Sequence, residues 1–311
     1  MHERNFSFYV ILSLLILIGF SNCFLFKQEY SEKLLVEGKI GSGPGELLWE
    51  TIDYLPTGPT SFGINRRKEI FILDFLNNRV VKFDKNGKYS ESFPQLKSIK
   101  LMDIAFDKKD NIYIEYVSGD IGIYDADMIL KKVLDLKGLV PPITPKITPV
   151  EVTNRNTILM VNPKINKENE IIEVDTTGNI LKTIDKTDGY ILTKGEYYIK
   201  GKPGEGESIY NNQNKQMFSI RKLKLEDESP EIVGIDSSLN LYFKTGVKGS
   251  MEDRILKVNP GGKILADFNI TYSSGHTDVC RTVRVSEDGN VYVLDDQDQK
   301  FHLWEYSPIK N

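Results

Sequence analysis

Apolar and polar positions alternate in short bursts along most of this chain. Residues 70–93, IFILDFLNNRVVKFDKNGKYSESF, show the form clearly. Two apolar runs meet at a polar turn, and the second runs into Asp84-Lys85-Asn86-Gly87. Ile70 and Ile72 fall on one side of an extended chain and Phe71 and Leu73 on the other, so the strand they predict is covered on both faces. No helical periodicity persists past Cys23.

The pattern recurs. RVVKFDKNGKYSESF (79–93) is matched without a gap by EIIEVDTTGNILKTI (170–184) and RILKVNPGGKILADF (254–268). KFHLWEYSPIK (300–310) follows it in part, and DIGIYDADMIL (120–130) and QMFSIRKLKLE (216–226) are weaker copies. Each copy is preceded by a polar turn and an aromatic–aliphatic strand, as in DKKDNIYIEY (107–116), DSSLNLYFKT (236–245) and SEDGNVYVLD (286–295). The first strand residues are Ile70, Ile112, Ile158, Tyr197, Leu241 and Val291, in steps of 42, 46, 39, 44 and 50 residues. Asn-Gly, Thr-Gly and Gly-Gly at the second turn supply the positive φ of tight hairpins. Short antiparallel strands at such a period predict propeller blades of four strands. The expected fold is all-β, a six-bladed β-propeller of four-stranded antiparallel blades. Its last copy ends after a third strand, and SEKLLVEGKIG (31–41) is the segment expected to supply the missing outer strand and close the ring.

GSGPGEL (41–47) followed by EIFILDFLNNRVVKFDKNGKY (69–89) resembles an NHL repeat: a Gly-rich lead, a strand ending in Asp, Asn-Arg, and a Phe-Asp-x-x-Gly hairpin. By spacing, copy six keeps Asp295 and Lys300 where copy one has Asp74 and Arg79. The resemblance implies an NHL-like propeller over roughly residues 40–311 and says little of a ligand. Residues repeated at one place in successive blades read as parts of a joint, with Asp74 pairing Arg79 and Asn77-Asn78 accommodating a left-handed turn.

Composition narrows the function. Lys+Arg is 40 against Asp+Glu 44, a net charge of −4, which lacks the basic footprint of a nucleic-acid binder. Three histidines and two cysteines leave little for a zinc site or a disulfide framework. The first residues are a different matter. A charged start with Arg4, the apolar FSFYVILSLLILIGF, and Phe20-Ser21-Asn22-Cys23 read as a secretory signal ending in a loose lipobox. It resembles the permissive lipoboxes of spirochaetal lipoproteins, which implies lipidation at Cys23. The alternatives are an uncleaved anchor over residues 8–26 and a plain cleaved signal. The organisation read from this is a signal over 1–22, a tether over 23–30 and a propeller over 31–311, exported and membrane-anchored in a bacterial envelope.

No catalytic motif stands out. Some six-bladed propellers hold calcium or zinc in the central channel, on side chains from the innermost strands. Counting about nine residues back from each strand anchor gives Ser61, Asp103, Pro149, Asp188, Ile232 and Thr282, and near neighbours add Glu151, Glu231, Arg281 and Arg284; the candidate channel or rim residues are Asp103, Glu151, Asp188, Glu231, Arg281 and Arg284. Four are hard-metal donors, but they share no register, and the two arginines oppose a cation. His276, Asp278 and Cys280 alternate in GHTDVCRTVR, but residues at i and i+2 of a strand sit about 7 Å apart, too far for a relay. LDDQDQK (294–300) lacks the Gly and final Glu of a calcium loop, and GKPGEGES (201–208) lacks the Lys-Ser/Thr of a phosphate loop. LVPPITPKITP (139–149) is a stiff connector. The expected function is a non-catalytic binding module for a protein, peptide or glycan, without cofactor or bound metal. A calcium-dependent lactonase or hydrolase is the alternative.

Overall fold

The structure is a computed structural model that describes residues 27–52, 55–94, 100–136, 150–153, 155–162, 170–184, 191–192, 197–200, 208–211, 213, 215–223, 231–246, 253–270 and 281–309. Cys23 and the leader, the 201–207 excursion, the 139–149 connector, Asp188, and the His276–Cys280 stretch lie outside the described residues.

The described residues are built from strands, with no α-helix and no helix able to cross a membrane. The chain starts with β1 (Tyr30–Lys39) and a small hairpin of β2 (Glu50–Ile52) and β3 (Leu55–Thr57). The first four-stranded sheet is β4 (Ser61–Ile64), β5 (Ile70–Asp74), β6 (Arg79–Phe83) and β7 (Tyr89–Pro94). The second is β8 (Leu101–Phe106), β9 (Ile112–Tyr116), β10 (Ile121–Tyr124) and β11 (Leu130–Leu134). The third is β12 (Glu151–Val152), β13 (Ile158–Asn162), β14 (Glu170–Val174) and β15 (Ile180–Ile184). The fourth is β16 (Ile191–Leu192), β17 (Tyr197–Lys200), β18 (Ser208–Asn211) and β19 (Gln216–Ser219). The fifth is β20 (Glu231–Ile235), β21 (Leu241–Gly246), β22 (Asp253–Val258) and β23 (Ile264–Ile270). In the sixth, β24 (Val283–Val285), β25 (Val291–Gln297) and β26 (Lys300–Pro308) are completed by β1.

All pairings within these sheets are antiparallel, and the sheets are arranged as a β-propeller of four-stranded blades. Each residue used to anchor the repeat (Ile70, Ile112, Ile158, Tyr197, Leu241 and Val291) is the first of its sheet's second strand.

The core lies between the sheets, which is why the inner strands are apolar on both faces. Ile70 and Ile72 pack with Tyr292, Leu294 and Phe301 of the sixth sheet, while Phe71 and Leu73 pack with Leu101, Ile104 and Ile114 of the second. Further clusters join sheets two and three, four and five, and five and six. Burying a Leu, Ile or Phe side chain in such a layer contributes about 1.5–3 kcal/mol. Burial falls outward: β5 and β9 are buried throughout, whereas four of the five residues of β11 are exposed.

One turn design recurs within the blades. The side-chain oxygen of Asp84 accepts the N–H groups of Asn86 and Lys88, at i+2 and i+4. Asp107, Asp125, Thr153, Asp175, Asn211, Asp236 and Asn259 do the same in their own turns. These side chains replace the lost ladder partners of the turn backbone, which is why a short polar residue stands there. Residue i+3 takes positive φ, supplied by Gly87 (79°), Gly178 (94°) and Gly262 (84°) where the sequence has Thr-Gly, Asn-Gly or Gly-Gly. Met128 and Leu239 adopt it without glycine (60° and 64°), where the turn geometry overrides the residue's preference.

β1 closes the sixth sheet as expected from residues 31–41. It pairs with β26 from Tyr30↔Pro308 to Lys39↔Lys300, with a bulge between Leu34 and Val36. On the far side of that strand, a Cβ on Gly87 would come within 1.8 Å of the Leu35 carbonyl oxygen, so β1 also lies against the outer hairpin of the first sheet. The innermost strands meet as well: the Arg281 N–H donates to the Thr60 carbonyl, and Ser61 forms a parallel bridge with Arg281. The attachment begins earlier than the sequence suggested. Gln28 N–H donates to the Leu265 carbonyl at 2.7 Å, and Tyr30 stacks on Phe268 at 4.2 Å, so the tether read over 23–30 is already fixed to the fifth sheet from its middle.

Candidate functional site at the innermost strands

Four sheets bring polar side chains together where their innermost strands begin. Ser61 opens β4, Asp103 lies in β8, Glu151 opens β12, Arg281 stands two residues before the start of β24, and Arg284 lies within it. Asp103 and Ser61 are fully buried, while the Arg281 and Arg284 side chains keep 14% and 15% of their surface in solvent. Glu151 keeps 11%, so Asp103 is the one member of the two ion pairs that is shut off from solvent altogether.

The pairing is close and reciprocal. Arg284 Nη2 donates to Asp103 Oδ1 at 2.7 Å, to Ser61 Oγ at 3.0 Å and to the Ile104 carbonyl at 2.8 Å, and its Nε donates to the Phe62 carbonyl at 2.9 Å. Arg281 donates through Nη1 to Glu151, and its Nε lies 3.5 Å from Asp103 Oδ2. Ser61 and the Val150 N–H complete the Asp103 carboxylate, at 2.6 and 2.9 Å. Two carboxylates face two guanidiniums. A buried ion pair repays its desolvation only when its remaining hydrogen bonds are met, and here they are.

The sequence candidates separate on this geometry. Asp103, Glu151, Arg281 and Arg284 come together. Glu231 does not: it is at the start of β20, 62% exposed, with Lys244 at 3.6 Å. Its ladder position, opposite the fourth residue of the second strand, is that of Ser61 and Asp103, but its carboxylate is taken by Lys244 and left largely in solvent. Among the described residues no group of three or more His, Cys, Asp or Glu is arranged to hold a metal. Ser61 joins the cluster through Asp103 and Arg284, although a lone serine carries no charge signal in the sequence.

The Asp74 motif is a joint. Arg79 Nε donates to Asp74 Oδ2 at 2.8 Å, and its Nη groups donate to the carbonyls of Ser42, Gly43 and Glu46 at 2.8–3.1 Å. Asn77 Nδ2 and the Leu48 N–H also donate to Asp74, and Asn78 takes φ 51°. The Gly-rich lead is thereby stitched to the β5–β6 turn. Burial pushes the Asp74 carboxyl up from its usual range, against the pull of Asn77, Arg79 and Leu48.

The sixth-sheet counterpart is built differently. Asp295 stands opposite His302, not Lys300, because the β25–β26 hairpin turns in two residues, Asp298 and Gln299, both at positive φ (52° and 62°). Lys300 instead pairs with Glu37 of β1 at 2.8 Å. Equal spacing in sequence thus lands two residues further along the ladder.

No protein-family model matches the chain, and comparison with curated proteins gives no match. Among solved structures the fold is similar to a streptogramin B lyase, at 12% identity over 90% of this chain and 98% of that one, TM-score 0.50. It is also similar to virginiamycin B lyase from Staphylococcus aureus, at 13% identity over 90% of this chain and 99% of that one, TM-score 0.51. A catalytically inactive form of that lyase with quinupristin aligns at 13% identity over 90% of this chain and all (100%) of that one, TM-score 0.50. At these identities the likeness is one of fold alone.

Proposed function

We propose that the chain is an envelope-anchored lipoprotein, lipidated at Cys23, whose six sheets close as a six-bladed, NHL-like propeller that binds a protein, peptide or glycan without catalysing a reaction on it. The observation that carries this reading is the Asp103–Glu151–Arg281–Arg284 cluster. A hard cation needs carboxylates turned outward to it. Here both carboxylates are engaged by guanidiniums, Asp103 is fully buried, and the two arginines keep part of their donor-bearing side chains in solvent. Such a surface fits a partner offering carbonyl, hydroxyl or carboxylate oxygens. The fold does not choose a function by itself, since the same scaffold carries enzymes such as the streptogramin lyase.

The test is a peptide and glycan array probed with the wild-type chain and with Arg281→Gln, alongside metal analysis and a calcium melting scan. Bound array features lost in the variant, with no metal and no calcium shift, are expected. Stoichiometric calcium, or array binding indifferent to Arg281, would refute the reading in favour of a metal-dependent hydrolase or a different surface. Palmitate labelling abolished by Cys23→Ala is the expected result for the anchor.

A further inference from the structure

The seam that completes the sixth sheet carries a row of titratable side chains that the channel site does not use. Asp295 of β25 is directly opposite His302 of β26, and His302 is directly opposite Glu37 of β1. Directly opposed residues share a face, so the three side chains form one line across three strands, two of them at the ring-closing junction. His302 Nδ1 lies 3.5 Å from Asp295 Oδ1, and Nε2 lies 3.5 Å from Glu37 Oε2. Asp295 is 1% exposed and His302 8%. Among the described residues neither Asp295 Oδ1 nor His302 Nδ1 has a hydrogen-bond partner. The imidazole is thus set between two carboxylates, and one proton taken up between Asp295 Oδ1 and His302 Nδ1 gives both atoms a hydrogen-bond partner while Nε2–H faces Glu37.

We propose that the Glu37–His302–Asp295 row is a proton-operated latch: proton uptake draws β1, β26 and β25 together, and proton loss loosens the strand that closes the ring. The surroundings support this direction. Lys300, also on β26, is committed to Glu37, and Asp296, next along β25, adds negative charge near Asp295. On the facing fifth sheet, Lys244 and Asp253 lie two residues from Tyr242 and Ile255, which pack against Val293 of β25. They pair with one another at 3.6 Å. Burial pushes the Asp295 carboxyl up to about 6, against the pull of His302. Its folded-state proton affinity therefore exceeds the unfolded one. Stability from this group is fully present below the ordinary carboxylate pKa near 4 and is lost as pH rises through about 6.

The experiment is thermal unfolding of the full chain from pH 5 to 8.5, with amide hydrogen exchange of Tyr30–Lys39 across the same range. Wild type is expected to melt higher at pH 6 than at pH 8, with slower β1 exchange once intrinsic exchange chemistry is subtracted. Asp295→Asn and His302→Gln should each flatten that slope. Glu37→Gln, at a site open to solvent, keeps the fold and should move the transition down by about half a pH unit, because the row loses one negative charge. It decides the matter if either buried variant fails to fold. Slopes equal to wild type in all folded variants, or β1 exchange independent of pH between 6 and 8, would overturn the latch.

Discussion

Asp74 and Asp295 occupy the same position, the fifth residue of the second strand in the first and sixth sheets, and both are buried. Their surroundings differ in kind. Asp74 faces Arg79, Asn77 and the Leu48 N–H, a set of donors that fixes it as a charged hub. Asp295 has Gln297 as a donor at 3.2 Å, a histidine at 3.5 Å and the Trp304 indole beside it, and burial outweighs them. The cause is turn length. Four residues link β5 to β6, which lets Arg79 reach back to Asp74, whereas two residues link β25 to β26 and place His302 opposite Asp295. One sequence signature has produced a permanent joint in one blade and a titratable seam in another.

The contrast can be broken from its strong side first. Arg79→Ala should cost about 3–5 kcal/mol, because it leaves the Asp74 charge buried and frees the carbonyls of the Gly-rich lead. Urea unfolding measures this, and a loss below about 1 kcal/mol would mean that the lead is held by its backbone alone. Asp295→Asn carries the opposite sign. At pH 8 it should stabilise by about 1–3 kcal/mol by removing an undercompensated buried charge, and the gain should vanish by pH 5, where the native carboxyl is already neutral. A destabilised variant at pH 8 would make Asp295 a hub like Asp74. Smallest is Lys300→Ala, the substitution that spacing alone would equate with Arg79→Ala. Lys300 and Glu37 are both largely exposed (47% and 44%), so the melting midpoint should not move measurably.

The inner-strand cluster teaches a related lesson. Asp103 was reachable by counting back from its strand anchor, and Glu151, Arg281 and Arg284 as neighbours of the equivalent positions, because each sheet places its innermost strand just ahead of the anchor strand. Glu231, a neighbour of the counted position in the fifth sheet, stays outside: it holds the ladder position of Asp103 but is 62% exposed and faces Lys244. The mutual pairing was not legible: the partners lie as far as 181 residues apart in the chain, and no local pattern encodes which guanidinium meets which carboxylate. His302 and Glu37 went unnoticed for the same reason, although a two-residue turn at Asp298-Gln299 would have aligned His302 with Asp295.

The sequence by itself determined the strands, their period and the turns that separate them. These depend on local physics: alternation sets which side chains are buried, and a short polar side chain satisfies each turn's N–H groups wherever it occurs. It also marked β1 as the strand that completes the last sheet, because an unfinished repeat leaves an edge that another strand must cover. Only the tertiary structure decided what the polar residues do. Whether an aspartate becomes a hub, a channel wall or a proton site depends on which partner stands opposite it, and that is set by turn length, bulges and the closing of sheets from both ends of the chain.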